Sequence, residues 1–273
     1  MDNRPIGVFD SGLGGLTGVK ELRKRLPHEN IVYFGDTGRV PYGSRSPETI
    51  LQYARQDIAF LLSKDVKCIM AACGTVSSIY PAAEAAKLPV PYLGVVDAAA
   101  REAAFVTRNR RIGVIGTPAT IRSGSYAKAI KTINPHAFVV GNACPLFVHL
   151  VENGYTDRDN PVTRMVAEEY LTPIKQEGVD TLILGCTHYP VIRDLIADIM
   201  GPDVTLISSG EEAAKFANLC LLEHDLLTDR ETPGTCTFYV SDSVALFEEN
   251  AKHFLKEGVD GKVLFASLDD TPS

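Results

Sequence analysis

Cys73 and Cys186 are the residues of this sequence best placed to do chemistry. Each ends a short apolar run of the kind that forms a buried strand: Val66-Lys67-Cys68-Ile69-Met70-Ala71-Ala72 before the first, Val179-Asp180-Thr181-Leu182-Ile183-Leu184-Gly185 before the second. Small or hydroxylated residues follow, Gly74-Thr75-Val76-Ser77-Ser78 after Cys73 and Thr187-His188-Tyr189-Pro190 after Cys186. Small residues let a backbone approach closely, and a following helix N-terminus offers unpaired N–H groups and partial positive charge. Such a setting lowers a thiol pKa and can hold a carboxylate. A thiol of pKa near ~8.5 is populated in both protonation states near neutrality, so it can give or take a proton. One such cysteine would read as a core residue. Two in matching settings read as a pair. His188, two residues beyond Cys186, can assist proton traffic, or can be a surface histidine where a helix begins.

Other candidates cluster at the same kind of position. Asp10-Ser11-Gly12-Leu13-Gly14-Gly15 ends one strand pattern and opens a helix. The spacing is not G-x-G-x-x-G, so a dinucleotide site is poorly supported. A backbone cradle for a small carboxylate, with Asp10 facing the site, is the preferred reading; Asp10 as a helix cap is the plainer one. A Gly/Pro-rich loop runs through Asp36-Thr37-Gly38-Arg39-Val40-Pro41-Tyr42-Gly43, and loops of that kind carry function more often than scaffold. Thr117-Pro118-Ala119-Thr120 repeats the strand-end hydroxyl pattern, although an ordinary N-cap fits it equally. Glu152 is acidic among apolar neighbours, and taken alone it reads as a solvated turn residue. The remaining cysteines, 68, 144, 220 and 236, look inert: none lies in a C-x-x-C pair, and zinc or dithiol chemistry has no support.

The elements that must carry these residues alternate between short apolar runs and longer amphipathic stretches, the pattern of an α/β protein with mainly parallel strands. Candidate strands are 6–10, 31–36, 67–72, 112–116, 181–185 and 204–208, with Cys236 in a late strand. Ser46-Pro47 can start a helix whose face is Ile50, Ala54, Ile58 and Leu61. Ser209 with Glu212 forms a capping box for a helix to about Leu222. Two segments recur. The run ending at Cys73 resembles the run ending at Cys186, 113 positions later, and Ile6–Ser11 resembles Ile112–Thr117, 106 positions later. Similar offsets predict two related α/β halves, the first from 1–97 with 208–273, the second from 98–207. In open α/β sheets ligands bind beyond the carboxyl ends of strands, where every candidate residue sits.

The bulk properties agree. The 273 residues suffice for two compact units, and 45% hydrophobic with 22% charged residues is ordinary for a soluble protein. A net charge of −7 with scattered cations argues against nucleic acid as a partner. No basic-then-apolar leader pattern and no long uncharged apolar stretch are present, so neither export nor a membrane span is expected, and the thiols should be free in a reducing cytoplasm.

Taken together, the motifs closely resemble the glutamate racemases of the aspartate/glutamate racemase superfamily. The matching segments are Phe9–Gly15, Val40-Pro41-Tyr42-Gly43, Ala72-Cys73, Gly116–Thr120 and Gly185-Cys186-Thr187-His188-Tyr189-Pro190, in family order across nearly the whole chain. The resemblance implies two α/β domains facing each other across a central cleft, no pyridoxal phosphate, no metal, and glutamate as the small-molecule substrate. It implies Cys73 and Cys186 as the proton-transfer residues, with Asp10 supporting the first and Glu152 and His188 the second. Asp10, Ser11, Tyr42, Gly43, Gly74, Thr75, Thr117, Thr120, Thr187 and His188 would hold substrate. A cytoplasmic homodimer supplying D-glutamate for peptidoglycan is the expected context. One position departs: the family usually has Asn after the first cysteine, where this chain has Gly74. Competing readings are a racemase of aspartate or hydantoins, a non-catalytic α/β ligand-binding module, and a hydrolase using one cysteine, which leaves the second unexplained.

Overall fold

A computed structural model describes residues 1–268. Among the described residues ten strands form two sheets in which every paired neighbour is parallel. The first sheet contains β1 (Ile6–Asp10), β2 (Ile31–Gly35), β3 (Cys68–Ala71), β4 (Tyr92–Gly94), β9 (Cys236–Val240) and β10 (Lys262–Phe265), in the order β10-β9-β2-β1-β3-β4. The second contains β5 (Arg111–Gly116), β6 (Phe138–Ala143), β7 (Thr181–Leu184) and β8 (Thr205–Ser208), in the order β6-β5-β7-β8. The central strands β1, β3 and β7 are buried along their whole length. That is why they read as unbroken apolar runs rather than alternating ones: in a parallel sheet with helices on both sides, no strand face meets water.

The two sheets repeat one another down to the register. Ile6 lies opposite Cys68, and Ile112 lies opposite Thr181. Equating Ile6 with Ile112 therefore equates Cys68 with Thr181, and five residues further on Cys73 with Cys186. On the outer side Ile69 faces Tyr92 as Leu182 faces Leu206. Thus β2-β1-β3-β4 corresponds to β6-β5-β7-β8, and the two cysteines leave equivalent strands at equivalent heights.

Helix Val95–Val106 leads the chain from the first sheet to the second, and helix Ser209–Glu223 leads it back. The expected helix after Ser46 runs over Pro47–Leu62; Ser46 accepts from the Thr49 N–H, and Ile50, Ala54, Ile58 and Leu61 are buried. The later cap lies one residue upstream of the expected Ser209–Glu212 box. Ser208 is the cap, accepting from the Glu211 N–H, because the Ser209 hydroxyl is taken by the Leu184 carbonyl at 2.9 Å. Strands β6 and β10 have no counterpart in the sequence reading; both carry exposed residues of edge strands. Among the described residues no helix is long and apolar enough to cross a membrane.

Candidate active site

The carboxyl ends of the two sheets face each other around a cavity of about 120 Å³, lined by Ser11, Tyr42, Gly43, Cys73, Gly74, Thr75, Thr117, Cys186, Thr187 and His188 among others. That volume suits a single small molecule; drug-sized ligands need roughly 300–1,000 Å³. Cys73 and Cys186 are 4% and 6% exposed, so each thiol opens to the cavity and to little else.

The surroundings of the two thiols differ. Cys73 lies two residues beyond β3, at the N-cap position of the short helix Gly74–Ile79. Its Sγ lies 3.6 Å from Ser11 Oγ. Burial, and then the charge of Asp10, push the thiol up to about 12 against the help of the Val76 and Ser11 N–H groups. The sequence expectation that the helix N-terminus would lower this pKa is therefore corrected: desolvation wins, and Cys73 is a thiol at neutral pH. Cys186 leads instead into a tight turn and the 3₁₀ segment Tyr189–Ile192. The turn brings His188 Nδ1 to 3.7 Å from Cys186 Sγ, while His188 Nε2 lies 2.9 Å from Glu152 Oε1. Burial opposes charge on this imidazole, but the hydrogen bonds to Cys186 and Glu152 outweigh it and raise its pKa to about 10. One thiol sits beside a carboxylate, the other beside an imidazolium.

Asp10, Glu152 and Thr120 stand behind the wall rather than in it. Asp10 is fully buried, accepting from the Gly12 N–H at 2.9 Å and facing Thr187 Oγ1 at 3.4 Å. Burial raises its pKa, opposed chiefly by the charge of His188. Thr120 ends a chain of hydroxyls: Thr75 Oγ1 to Thr117 Oγ1 is 2.9 Å, and Thr117 Oγ1 to Thr120 Oγ1 is 3.0 Å. Thr117 also caps helix Pro118–Ser123, as the plainer reading had it. Tyr42 lines the cavity, but its hydroxyl turns away into a cluster with Asp36 and Asp57.

The glycine loop after β1 has a different use from the expected cradle. A Cβ on Gly14 would sit 2.2 Å from Thr187 Oγ1 and 2.5 Å from His188 Nδ1, and one on Gly15 would strike Asp10. These glycines let the first half pack directly on the Cys186-Thr187-His188 turn, and of the loop only Ser11 lines the cavity. Gly74 and Gly43 make the same kind of contact: a Cβ on Gly74 would lie 2.1 Å from the Gly185 carbonyl, and one on Gly43 would lie 2.6 Å from Thr117 Cβ.

Sequence reasoning missed Pro145, Val148 and His149, which line the far wall. They follow β6, the counterpart of β2, whose own loop supplies Pro41–Ser44. Recognising β6 in the sequence would have pointed to them.

A sequence model of the Asp/Glu/hydantoin racemase family matches residues 18–217. The chain is 47% identical to a glutamate racemase of Geobacter metallireducens over 98% of each chain, and 45% identical to one of Streptococcus gordonii over 95% of this chain and 97% of that one. Among solved structures, a glutamate racemase isoform of Bacillus anthracis superposes with a TM-score of 0.93 at 37% identity, covering 98% of this chain and 99% of that one. The Francisella tularensis glutamate racemase in complex with D-glutamate superposes at 0.90 with 41% identity, over the same shares. The chain belongs to the Asp/Glu/hydantoin racemase family and groups with its glutamate racemases.

Proposed function

We propose that this protein interconverts L- and D-glutamate by proton transfer between two cysteines on opposite faces of the substrate α-carbon, without a cofactor. The observation that carries the reading is the pair of register-equivalent thiols opening into one small cavity from two facing sheets. In the L-to-D direction the Cys186 thiolate, held beside the His188 imidazolium that Glu152 orients, takes the α-proton. The Cys73 thiol then delivers its own proton to the other face. Inversion leaves Cys186 as thiol and Cys73 as thiolate, the form that acts on D-glutamate. Charge that builds on the substrate carboxylate during the transfer meets backbone N–H groups around Gly43 and Gly74 and the hydroxyls of Ser11, Thr75, Thr117 and Thr187. Fixed donors of this kind stabilise a developing anion without having to reorganise. Asp10, next to Cys73 and behind Thr187, supports the Cys73 side. The division of the chain at 97/98 and 207/208, a homodimeric assembly, and D-glutamate supply for peptidoglycan in the cytoplasm complete the reading.

The test is loss of optical rotation, followed by circular dichroism, when L-glutamate or L-aspartate is mixed with cofactor-free protein. Glutamate should racemise at least about tenfold faster, the discrimination that a few placed polar groups provide. Equal rates or a preference for aspartate would move the substrate assignment to a sister racemase. Saturable binding without racemisation would replace the enzyme by a ligand-binding module.

A further inference from the structure

Beneath the cavity wall formed by Pro41–Ser44 lies a cluster of polar groups that the proton-transfer scheme does not use. Asp36 directly follows β2, Asp57 lies in helix Pro47–Leu62, and both are wholly buried. Arg39 and Tyr42 come from the loop between them. Asp36 is richly supplied with donors: Arg39 Nε at 2.5 Å and the Tyr42 hydroxyl on Oδ2, and the Ser241 hydroxyl at 2.7 Å on Oδ1. Asp57 has fewer. Its Oδ1 accepts from an Arg39 terminal nitrogen at 3.1 Å, and its Oδ2 lies 3.1 Å from the Tyr42 oxygen.

The protons can be counted. A phenol has one, and here it lies between two carboxyl groups. It is donated to Asp36, the closer partner. The contact between Tyr42 and Asp57 is then a hydrogen bond only if Asp57 supplies the proton. We propose that Asp57 is held as a neutral carboxylic acid, donating to Tyr42 while Asp36 and Arg39 form the ion pair, and that this proton fixes the substrate-facing wall Pro41–Ser44. The inference rests on the racemase reading for the meaning of that wall.

The environment agrees with the count. Burial, and then the charge of Asp36, push Asp57 well above the carboxylate range against the pull of Arg39; Asp10 pushes the same way. Arg39 is further anchored by Gln56 Oε1 at 2.5 Å and by the Tyr53 ring, 4.1 Å below its guanidinium. A wall held this tightly matters because Gly43 abuts Thr117 of the second half with no room to move inward. Loss of the Asp57 proton would set a second carboxylate against Asp36 with a single arginine to serve both. The loop would then be driven off its anchor, and KM would rise at alkaline pH.

The experiment compares wild type, Asp57→Asn and Asp57→Ala by KM and kcat for L-glutamate across the neutral to alkaline range, with an infrared difference spectrum of wild type minus Asp57→Asn. Asparagine reproduces the protonated acid, its amide donating to Tyr42 and its carbonyl accepting from Arg39. Its KM should stay within about twofold of wild type and lose the alkaline rise, while Asp57→Ala should raise KM about tenfold with kcat within about threefold, the pattern of lost positioning at the cost of one buried hydrogen-bond set. The infrared difference should contain the C=O stretch of a protonated carboxyl, a readout that survives if the alanine variant does not fold. Absence of that band, an asparagine variant as impaired as alanine, or an alanine variant with wild-type KM would each overturn the proposal. Failure of wild type to racemise glutamate would remove the functional reading instead, since the infrared band reports the proton independently of activity.

Discussion

Replacing Gly74 by alanine adds one methyl group where the first half abuts the second. Its Cβ would stand 2.1 Å from the Gly185 carbonyl oxygen, where ordinary contact begins at 3.4 Å. The carbonyl has little room to retreat. Gly185 donates its N–H to Ile115 at 2.8 Å, and its own Cα faces the Ile115 carbonyl and the Tyr126 ring. Relief must come from parting the cleft by more than an ångström. A displacement of about 1 Å between reacting groups costs on the order of 100-fold in rate, equivalent to about 2.7 kcal/mol at ~1.36 kcal/mol per tenfold. Overpacking that is absorbed locally costs a similar ~1–3 kcal/mol. Racemisation kinetics followed by circular dichroism should therefore show kcat/KM for Gly74→Ala lowered about 100-fold. Because the two enantiomers are equal in energy, the loss must be the same in both directions, which gives an internal check. Gly74→Asn, although it restores the side chain usual in the family, should raise KM for the same reason. A Gly74→Ala enzyme within about threefold of wild type, well inside the expected loss, or a lowered KM in Gly74→Asn, would show that the close approach is not part of the working geometry.

Three further outcomes follow from the site. Iodoacetamide should modify Cys186 before Cys73 in the substrate-free protein, because Cys73 is pushed up to about 12 while Cys186 faces an imidazolium; peptide mapping that finds Cys73 modified first contradicts the assignment of resting states. The His188 pKa is raised from 6.5 to about 10, so the stability of its charged pairing is complete below 6.5 and lost as pH rises through about 10. Glu152→Gln removes one of its two supports and should move the alkaline limb of the L-glutamate profile to lower pH; an unmoved limb would assign Glu152 no part in charging His188. Thr117→Val removes both a helix cap and the hydroxyl link to Thr75. It should cost about 1 kcal/mol in stability by thermal or urea unfolding, the usual worth of such a cap, and raise KM, and a neutral effect on both would count against the hydroxyl chain.

Much of this architecture was legible because buried parallel strands advertise themselves. The runs ending at Asp10, Cys73, Gly116 and Cys186 are apolar on both faces, and their internal repetition carried the second half. What stayed hidden had weak local signals. The strand Phe138–Ala143 is an exposed edge containing Gly141 and Asn142, so it offered neither alternation nor a solid apolar run. Missing it hid the wall segment around His149. The direction of the Cys73 shift was also unreadable, since a helix N-terminus is visible in sequence whereas the degree of desolvation depends on how tightly the halves close. Gly74 reads in the sequence as a position of close approach, whereas Gly14 and Gly15 read as part of a carboxylate cradle. What approaches them, Thr187, Asp10 and Gly185, is a property of the packing of distant segments. The pairing of Glu152 with His188 joins residues 36 positions apart and could be supposed only from resemblance.

The central claim is that two different thiols serve the two faces of one carbon, and isotope exchange tests it most directly. With L-glutamate as substrate in D₂O, the first D-glutamate formed should carry deuterium at the α-carbon while recovered L-glutamate remains mostly protium, because the cysteine that removes the proton is not the one that returns it. Cys73→Ala and Cys186→Ala should each abolish racemisation, and Cys73→Ala should exchange, if anything, only the L form. Full racemisation surviving in either variant, or deuterium entering the recovered L-glutamate as fast as D-glutamate appears, would contradict the two-thiol account.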